Sequence, residues 1–373
     1  MKVALVHDYL NEFGGAERVL EALAEMYPEA PIYTAFYKKG SKAYERFKDR
    51  KVIASWAQNV PGFVDKLHSP LRFLAPQIWE SFDLDGFDVV MSSASWYITK
   101  GVLTRPETTH ICYCHTPPRY LYGYDTSIHY KKYWALRLYA TIVNKGLRQY
   151  DYLAAQRVDH FVANSKNVAA RIKKFYGRES TVICPPVELH ETVSKAQEKQ
   201  NYFLVISRLV GAKGLEMAVK AANELQVPLK VVGAGGGYAQ EEEYLKEMAG
   251  QTVEFLGFVA DEKLADLYAG AKAFLALAKD EDFGITPVEA MMAGTPVIAY
   301  NGGGYKETVV QGKTGLLFDD YSVDGLMKAM KKIHDSSFKI QEIKDHAEKF
   351  SKERFVKEMG EFVEKKYREN FGI

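Results

Sequence analysis

Cysteine is scarce in this chain, and long apolar runs are missing. Only three cysteines occur among 373 residues, and such a sparse, odd set is typical of proteins from a reducing compartment. Cys112 and Cys114 form a C-x-C pair without a second pair, which is not a zinc-binding pattern. No stretch approaches the roughly 20 apolar residues of a membrane-spanning helix. The apolar run at residues 3–6 predicts a strand rather than a signal peptide.

Charge of one sign is not in excess either. The 49 Lys and Arg residues nearly balance the 48 Asp and Glu residues, for a formal net charge of +1. Gross charge therefore gives no indication of nucleic-acid binding. We expect a cytoplasmic protein that binds no nucleic acid and that lies, at most, on the inner face of the cell membrane.

What the sequence does contain is an alternation of short apolar runs with helical periodicity, in two successive series. This alternation predicts α/β domains with doubly wound, Rossmann-like parallel sheets. A length of 373 residues suits two such domains, and a charged, aperiodic run at 191–200 marks the connection between them. We therefore predict domains at 1–186 and 187–349, which face each other across a cleft, and a final helical segment at 350–373.

The segment from Glu281 to Glu289 places two carboxylates eight positions apart, across a glycine-containing loop and the start of a predicted helix. Carboxylates there suit the hydroxyls of a sugar and of a ribose, and helix N-terminal amides suit the phosphates between them. Glu281 is either an acceptor for sugar hydroxyls or a solvated loop acid. Glu289 has a structural alternative, because residues 286–289 have the pattern of a capping box with Thr286 as the N-cap.

A second segment, residues 207–214, also follows a predicted strand and opens a helix. Arg208 and Lys213 supply two cations beside free helix amides, a combination that suits a diphosphate. Groups of this kind stabilise the charge that builds on a leaving phosphate; the alternative is a solvated basic turn. Glycine clusters at 233–237 and 302–304 follow two more strands, and they allow either close approach of a ligand or only a tight turn.

The first half supplies weaker candidates. Gly15 lies in a two-glycine loop whose amides would face a sugar or an acceptor. His115 follows a predicted strand, where an imidazole donates to a sugar hydroxyl, handles a proton or is only structural. Arg119 is a candidate for an anionic acceptor. Asp83 and Asp85 fit the D-x-D pattern of metal-dependent sugar transfer, but we interpret them as a polar loop between helix and strand and predict no metal.

Residues 119–150 combine six Lys or Arg with seven Tyr and a single acid. Basic and amphipathic aromatic side chains together suit an anionic membrane surface. The alternative is an ordinary Tyr-rich helical pair that packs on the first domain.

With these motifs the chain resembles the retaining glycosyltransferases of family 4, which have the two-domain GT-B fold. The resemblance covers most of the second half and is looser in the first half. There it is similar to a branch that often transfers mannose from GDP-mannose. The matching segments are Ser-Arg-Leu and Lys-Gly within 207–214, Phe-Leu-Gly at 255–257, Glu-x-Phe-Gly at 281–284 with Glu289, and residues 290–297, 303–307, 315–317, 7–9, 14–18 and 114–120.

The resemblance implies that the first domain binds the acceptor, that the second binds a nucleotide diphosphate sugar, and that no metal or other cofactor is needed. It also implies that the final helix crosses back to the first domain. The implied catalytic residues are His115, Arg208, Lys213 and Glu281. The implied donor-binding residues are Gly15 near the phosphate, Arg208 and Lys213 on the diphosphate, Glu289 on the ribose, and Gly233, Phe283, Gly284 and Ile285.

The predicted function is retaining transfer of a hexose onto a hydroxyl of a glycan or of a lipid-linked oligosaccharide, in polysaccharide biosynthesis. Mannose from GDP-mannose is the favoured donor. Two alternatives use the same fold, a nucleotide-sugar epimerase and a non-catalytic nucleotide-sugar-binding protein. A dehydrogenase is disfavoured, because no Gly-x-Gly-x-x-Gly pattern follows residues 3–6.

Overall fold

A computed structural model of the chain describes residues 1–125, 134–189, 199–209, 211–233, 239–334 and 336–372. Parts of the predicted features lie outside these residues: 191–198 of the connector, 234–237 of one glycine cluster, 126–133 of the basic, Tyr-rich stretch, and Val210. The chain divides into two compact units. The first unit is Met1–Pro186 with Lys352–Ile373, and the second is Val187–Ser351.

The first unit is built on a seven-stranded parallel sheet. Its strands are β1 (Val3–His7), β2 (Ile32–Thr34), β3 (Val52–Ala54), β4 (Val89–Ala94), β5 (Thr109–Cys114), β6 (His160–Ala163) and β7 (Ser180–Val182). Their order across the sheet is β3-β2-β1-β4-β5-β6-β7. The central strands β1, β4 and β5 are buried along their whole length, as expected for short apolar runs that helices cover on both faces.

Helices from both ends of the chain cover this sheet. Ser165, a residue type favoured at helix N-caps, begins one of them, because its side chain accepts a hydrogen bond from the Val168 amide over 3.1 Å. The last helix of the chain also belongs to this unit, since Phe355, Met359 and Val363 are fully buried in the same core as the sheet. The helices are α1 (Gly15–Met26), α2 (Lys42–Phe47), α3 (Ala75–Trp79), α4 (Trp134–Arg157), α5 (Lys166–Tyr176) and α13 (Lys352–Phe371).

The second unit repeats the architecture on a six-stranded parallel sheet. Its strands are β8 (Phe203–Ile206), β9 (Leu229–Val232), β10 (Val253–Gly257), β11 (Ala273–Ala276), β12 (Val297–Tyr300) and β13 (Gly315–Phe318), in the order β10-β9-β8-β11-β12-β13. Its helices are α6 (Leu215–Leu225), α7 (Ala239–Met248), α8 (Asp261–Gly270), α9 (Ile285–Met292), α10 (Tyr305–Thr308), α11 (Val323–His334) and α12 (Ile340–Ala347). Two Rossmann-like units with parallel sheets confirm the predicted fold class.

Each sheet has one point where the strand order reverses. The reversal falls between β1 and β4 in the first unit and between β8 and β11 in the second. Connections leave such a pair of strands in opposite directions, so a crevice opens at their carboxyl ends, and ligands bind there in doubly wound folds. Among the described residues, no helix is long and apolar enough to cross a membrane.

Candidate active site

Lys213 and Glu281 meet at the strand-order reversal of the second unit, one after β8 and the other after β11. Lys213 Nζ donates a hydrogen bond to Glu281 Oε2 over 2.7 Å, and the Tyr305 hydroxyl donates to the same oxygen over 3.3 Å. Lys213 is 28% exposed and Glu281 18%, so the ion pair is accessible. Burial and the charge of Glu281 raise the pKa of Tyr305 well above its usual value, which keeps its hydroxyl protonated as a donor.

The predicted glycine cluster at 302–304 fixes the loop that carries Glu281. The Gly304 amide donates to the Glu281 carbonyl over 2.8 Å. At Gly303, which has a φ of 54°, a Cβ atom would lie only 2.3 Å from that same carbonyl oxygen. The two loops therefore approach so closely that a side chain at Gly303 does not fit. The cluster therefore holds the loop that carries Glu281 in place.

Gly233 has a similar role beside Arg208. It follows β9 with a φ of 137°, and a Cβ atom there would lie 1.9 Å from the Ser207 carbonyl oxygen. This close backbone contact places the end of β9 against the start of the basic turn at 207–214. Arg208 is exposed in that turn. The turn ends in a single 3₁₀ segment at Gly211–Lys213 before α6.

The capping box predicted at 286–289 is wrong. Helix α9 begins at Ile285 with Gly284 as its N-cap, so Thr286 already lies inside the helix. Glu289 is therefore one turn further in and is only 3% exposed. The Tyr268 hydroxyl donates to Glu289 Oε2 over 2.6 Å. Tertiary packing rather than local capping thus orients this carboxylate, and ribose binding by Glu289 stays a prediction.

Three neighbours of Glu281 have different surroundings. The Phe283 side chain is buried and packs edge-on against Phe350, with 5.6 Å between the ring centroids. Phe350 belongs to the second unit. The final helix begins at Lys352, two residues later than the predicted start at residue 350. Gly284 and Ile285 form the start of α9 and are partly exposed. Their backbone, rather than the Phe283 ring, is the part of this segment that suits a phosphate.

His115 lies directly after β5, the strand beside the reversal between β1 and β4, and belongs to a chain of hydrogen-bonded side chains. His115 Nε2 is 2.8 Å from Ser93 Oγ, and Ser93 Oγ is 3.1 Å from His7 Nδ1. His7 Nε2 is in turn 3.2 Å from Glu17 Oε1. Burial, supported by His7, lowers the pKa of His115 to about 3, so its imidazole is neutral at physiological pH.

The residues around Gly15 belong to the start of α1. Gly15 is its first residue and is exposed. The second carboxylate oxygen of Glu17 accepts from the Gly14 amide over 2.8 Å, which is one half of a capping box. Asp8 is buried and holds the loop after β4, accepting from the Trp96 amide over 2.6 Å. It also accepts from the Ser95 and Tyr97 amides and from the Thr99 hydroxyl.

Sequence reasoning missed His7 and Ser93 as site residues. His7 is the last residue of β1, and Ser93 is its register partner on β4. A signal was present, because β1 ends in a histidine after an apolar run and β4 has two serines near its end. Only the strand order, however, shows that β1, β4 and β5 are neighbours.

The remaining candidates of the first unit are Arg119, Asp83 and Asp85. Arg119 begins a 3₁₀ segment after β5 and is partly exposed. Asp83 accepts a hydrogen bond from the Asp85 amide over 2.9 Å, and Asp85 pairs with Arg105 on the surface, so both acids have structural roles in a polar loop. Within the residues that the structure describes, no group of three or more His, Cys, Asp or Glu could hold a metal ion.

Comparisons with known proteins define the class. The family described as Glycosyltransferase Family 4 matches residues 13–191, and the family described as Glycosyl transferases group 1 matches residues 187–354. Anabaena Alr3699/HepE in complex with UDP has the same fold, with a TM-score of 0.72 at 17% identity over 98% of this chain and 100% of that chain. The architecture is therefore that of a glycosyltransferase with the GT-B fold.

Two relatives refine this assignment. The mouse (Mus musculus) alpha-1,3/1,6-mannosyltransferase ALG2 is 29% identical over 402 residues, which span 94% of this chain and 93% of the relative. A glycogen synthase of Thermus caldophilus is 35% identical over 164 residues, which span 42% of this chain but only 33% of the relative. The chain belongs to the family 4 type of GT-B glycosyltransferases and is similar to mannosyltransferases, as predicted.

Proposed function

We propose that the protein transfers a hexose from a nucleotide diphosphate sugar to a hydroxyl, with retention of configuration. The observation that carries this proposal is the accessible Lys213–Glu281 pair at the strand-order reversal of the second unit. A cation and a carboxylate in contact at this position suit two different parts of one donor substrate. The ammonium suits the diphosphate, and the carboxylate accepts hydrogen bonds from sugar hydroxyls.

Lys213 keeps this capacity although it is already paired with Glu281. An ammonium has three donors, so Lys213 has donors for phosphate oxygens while it holds Glu281. Arg208 in the same turn adds a second cation, and we propose that both act on the leaving phosphate, where negative charge grows in the transition state. The proposal therefore requires no metal ion and no cofactor besides the donor substrate.

Retention needs no covalent enzyme intermediate in this scheme. The acceptor hydroxyl attacks from the face that the leaving phosphate vacates, and that phosphate oxygen takes the hydroxyl proton. The bond from the anomeric carbon to the phosphate oxygen breaks as the bond to the acceptor oxygen forms. Glu281 then orients the sugar, and His115 contributes a neutral hydrogen-bonding group.

Mannose from GDP-mannose is the proposed donor, and a glycan or lipid-linked oligosaccharide is the proposed acceptor. The support is the similarity to a mannosyltransferase over 94% of the chain. HepE, whose structure contains UDP, is only 17% identical to this chain. Its UDP therefore does not indicate which nucleotide base this protein recognises.

We also propose that helix α4 contacts an anionic membrane surface. Trp134, Leu138 and Ile142 are spaced four residues apart on one face, and they are 78%, 56% and 67% exposed. Arg137 and Lys145 are exposed beside them. An exposed apolar stripe with neighbouring cations matches the interior and the anionic headgroups of a membrane surface.

Vesicle co-sedimentation tests this contact. Binding to vesicles with anionic lipid should exceed binding to neutral vesicles, and Ile142→Ser should reduce it. Phe258→Ser is the matched control, because Phe258 is 63% exposed in the second unit. Equal losses in both variants would refute the assignment to α4.

The transfer itself is tested with a panel of nucleotide sugars, with and without glycan and lipid-linked acceptors, by release of nucleoside diphosphate. We expect acceptor-dependent release, and Lys213→Ala should lower kcat roughly 10²- to 10³-fold, the loss typical of one oxyanion donor. The control is Lys220→Ala, which removes an exposed helical pair with Glu216. Interconversion of sugars without acceptor would indicate an epimerase, and donor binding without any release would indicate a binding protein.

A further inference from the structure

We propose that Glu17, His7 and Ser93 form a relay that fixes which ring nitrogen of His115 carries the proton. The relay joins the first turn of α1, the last residue of β1, the body of β4 and the residue after β5. Its three contacts measure 3.2, 3.1 and 2.8 Å. The functional part of this inference rests on the proposed transfer reaction; the proton arrangement does not.

Only two arrangements of protons satisfy all three hydrogen bonds of the relay. A carboxylate only accepts hydrogen bonds, so His7 Nε2 must carry a proton that it donates to Glu17. If His7 is neutral, its Nδ1 is bare and accepts the Ser93 hydroxyl proton. Ser93 Oγ then accepts from His115, whose proton is on Nε2 and whose Nδ1 is a bare acceptor.

The second arrangement is the reverse of the first. If His7 is charged, both of its nitrogens donate, and the Ser93 proton turns toward His115. His115 Nε2 must then be bare, and because burial keeps this ring neutral, its proton lies on Nδ1. The single hydroxyl of Ser93 thus couples the two imidazoles. A neutral His7 requires Nε2–H on His115, and a charged His7 requires Nδ1–H.

Burial strengthens the coupling between the two imidazoles, because it limits the access of water to the relay. The His7 and Ser93 residues are each 1% exposed and His115 is 8% exposed, so water does not readily replace a missing partner. Ser93 contacts Nε2 of His115, and Nδ1 is the other hydrogen-bonding atom of the ring. Nδ1 is therefore the ring atom left for a substrate hydroxyl, and the relay decides whether it accepts from or donates to that hydroxyl.

Glu17, His7 and Ser93 are accordingly positioning residues for His115. Ser92 offers a matched control, because it is the neighbouring buried serine on β4 and its Oγ lies 2.9 Å from His110 Nε2, outside the relay. Each serine therefore contacts a buried imidazole at Nε2, but only Ser93 connects two of them.

The test is ¹⁵N NMR of the histidine rings in the full chain without substrate, with signals assigned through His7→Gln and His115→Gln variants. Protonated and bare ring nitrogens have well-separated ¹⁵N shifts. We expect the wild type to show one of the two matched arrangements. Ser93→Ala should turn His115 into a mixture of tautomers, whereas Ser92→Ala should change only His110.

A neutral His7 beside an Nδ1–H His115, a charged His7 beside an Nε2–H His115, or a His115 ring unaffected by Ser93→Ala would overturn the relay. A second readout concerns turnover. Ser93→Ala should lower kcat roughly tenfold with little change in KM, as expected for loss of one orienting hydrogen bond, and Ser92→Ala should not. If no transfer is detected but the NMR pairing is found, the relay stands and the proposed function fails.

Discussion

The glycine at 303 offers a direct test of how the acid loop is held. In the Gly303→Ala variant, the new methyl group would lie 2.3 Å from the Glu281 carbonyl oxygen and 2.7 Å from the Glu281 nitrogen. Both atoms belong to the backbone, so neither has a side-chain rotation that would relieve the clash. The loop that carries Glu281 must therefore move, or Gly303 must change its conformation.

The expected cost has two parts. A non-glycine residue in the left-handed region costs about 1–2 kcal/mol, and overpacking against a fixed backbone costs about 1–3 kcal/mol more. Gly312→Ala isolates the first part, because Gly312 has a φ of 75° in the same region but has no atom within 4 Å of an added Cβ. Gly303→Ala should thus lower the free energy of unfolding by about 1–3 kcal/mol more than Gly312→Ala.

Urea unfolding followed by far-UV circular dichroism measures this difference, and nucleoside diphosphate release measures its effect on the site. A shift of about 1 Å in a catalytic group costs roughly 10²-fold in rate, so Gly303→Ala should lose activity while Gly312→Ala keeps it. Equal stability losses in the two variants would refute the packing argument. Full activity in a destabilised Gly303→Ala variant would show that the position of Glu281 does not matter for turnover.

Three further changes probe the first unit by urea unfolding. Asp8→Asn should lower the free energy of unfolding by about 1–3 kcal/mol, because an amide oxygen accepts from the three backbone N–H groups less well than a carboxylate. Asp83→Asn, at an exposed residue, is the control. Equal losses in the two variants would count against a structural role of Asp8. Lys100→Met should cost about 3–5 kcal/mol, since it leaves the buried Asp151 without its ion-pair partner, and adding Asp151→Leu should recover part of that loss. Phe355→Ala should also cost about 3–5 kcal/mol, because this α13 ring is fully buried; a loss below about 1 kcal/mol would show that α13 does not complete the core.

Local signals predicted the fold well. The apolar run at 3–6 became a fully buried central strand, and Ser165 caps α5 through its own side chain. Both features depend on residues within a few positions of each other, where spacing in the sequence translates directly into geometry. The pairing of Lys213 with Glu281 was harder to foresee, yet both follow strands and thus lie at the same edge of one sheet.

Features that depend on distant partners were missed or misread. The residues at 286–289 have a valid capping pattern, but α9 begins at Ile285 and Glu289 contacts Tyr268, 21 positions away. The glycines at 302–304 were interpreted as allowing either close approach of a ligand or a tight turn, whereas the structure places the backbone of the Glu281 loop against them. That partner has no signature in the sequence. Local pattern gives the conformation that a segment permits, whereas strand order decides what it contacts.

The side chains near the strand-order reversals of the two sheets differ in burial. Lys213 and Glu281 form a partly exposed ion pair, which in the proposed reaction suits groups that carry charge or hydroxyls. His7, Ser93 and His115 are almost fully buried, and burial lowers the pKa of His115 to about 3, so this ring acts only as a neutral donor or acceptor. A transferred sugar has no charge, while its leaving diphosphate does. Under the proposed function, the partly exposed ion pair of the second unit therefore suits the charged diphosphate and the sugar hydroxyls of a donor, whereas the buried ring of the first unit suits only uncharged groups.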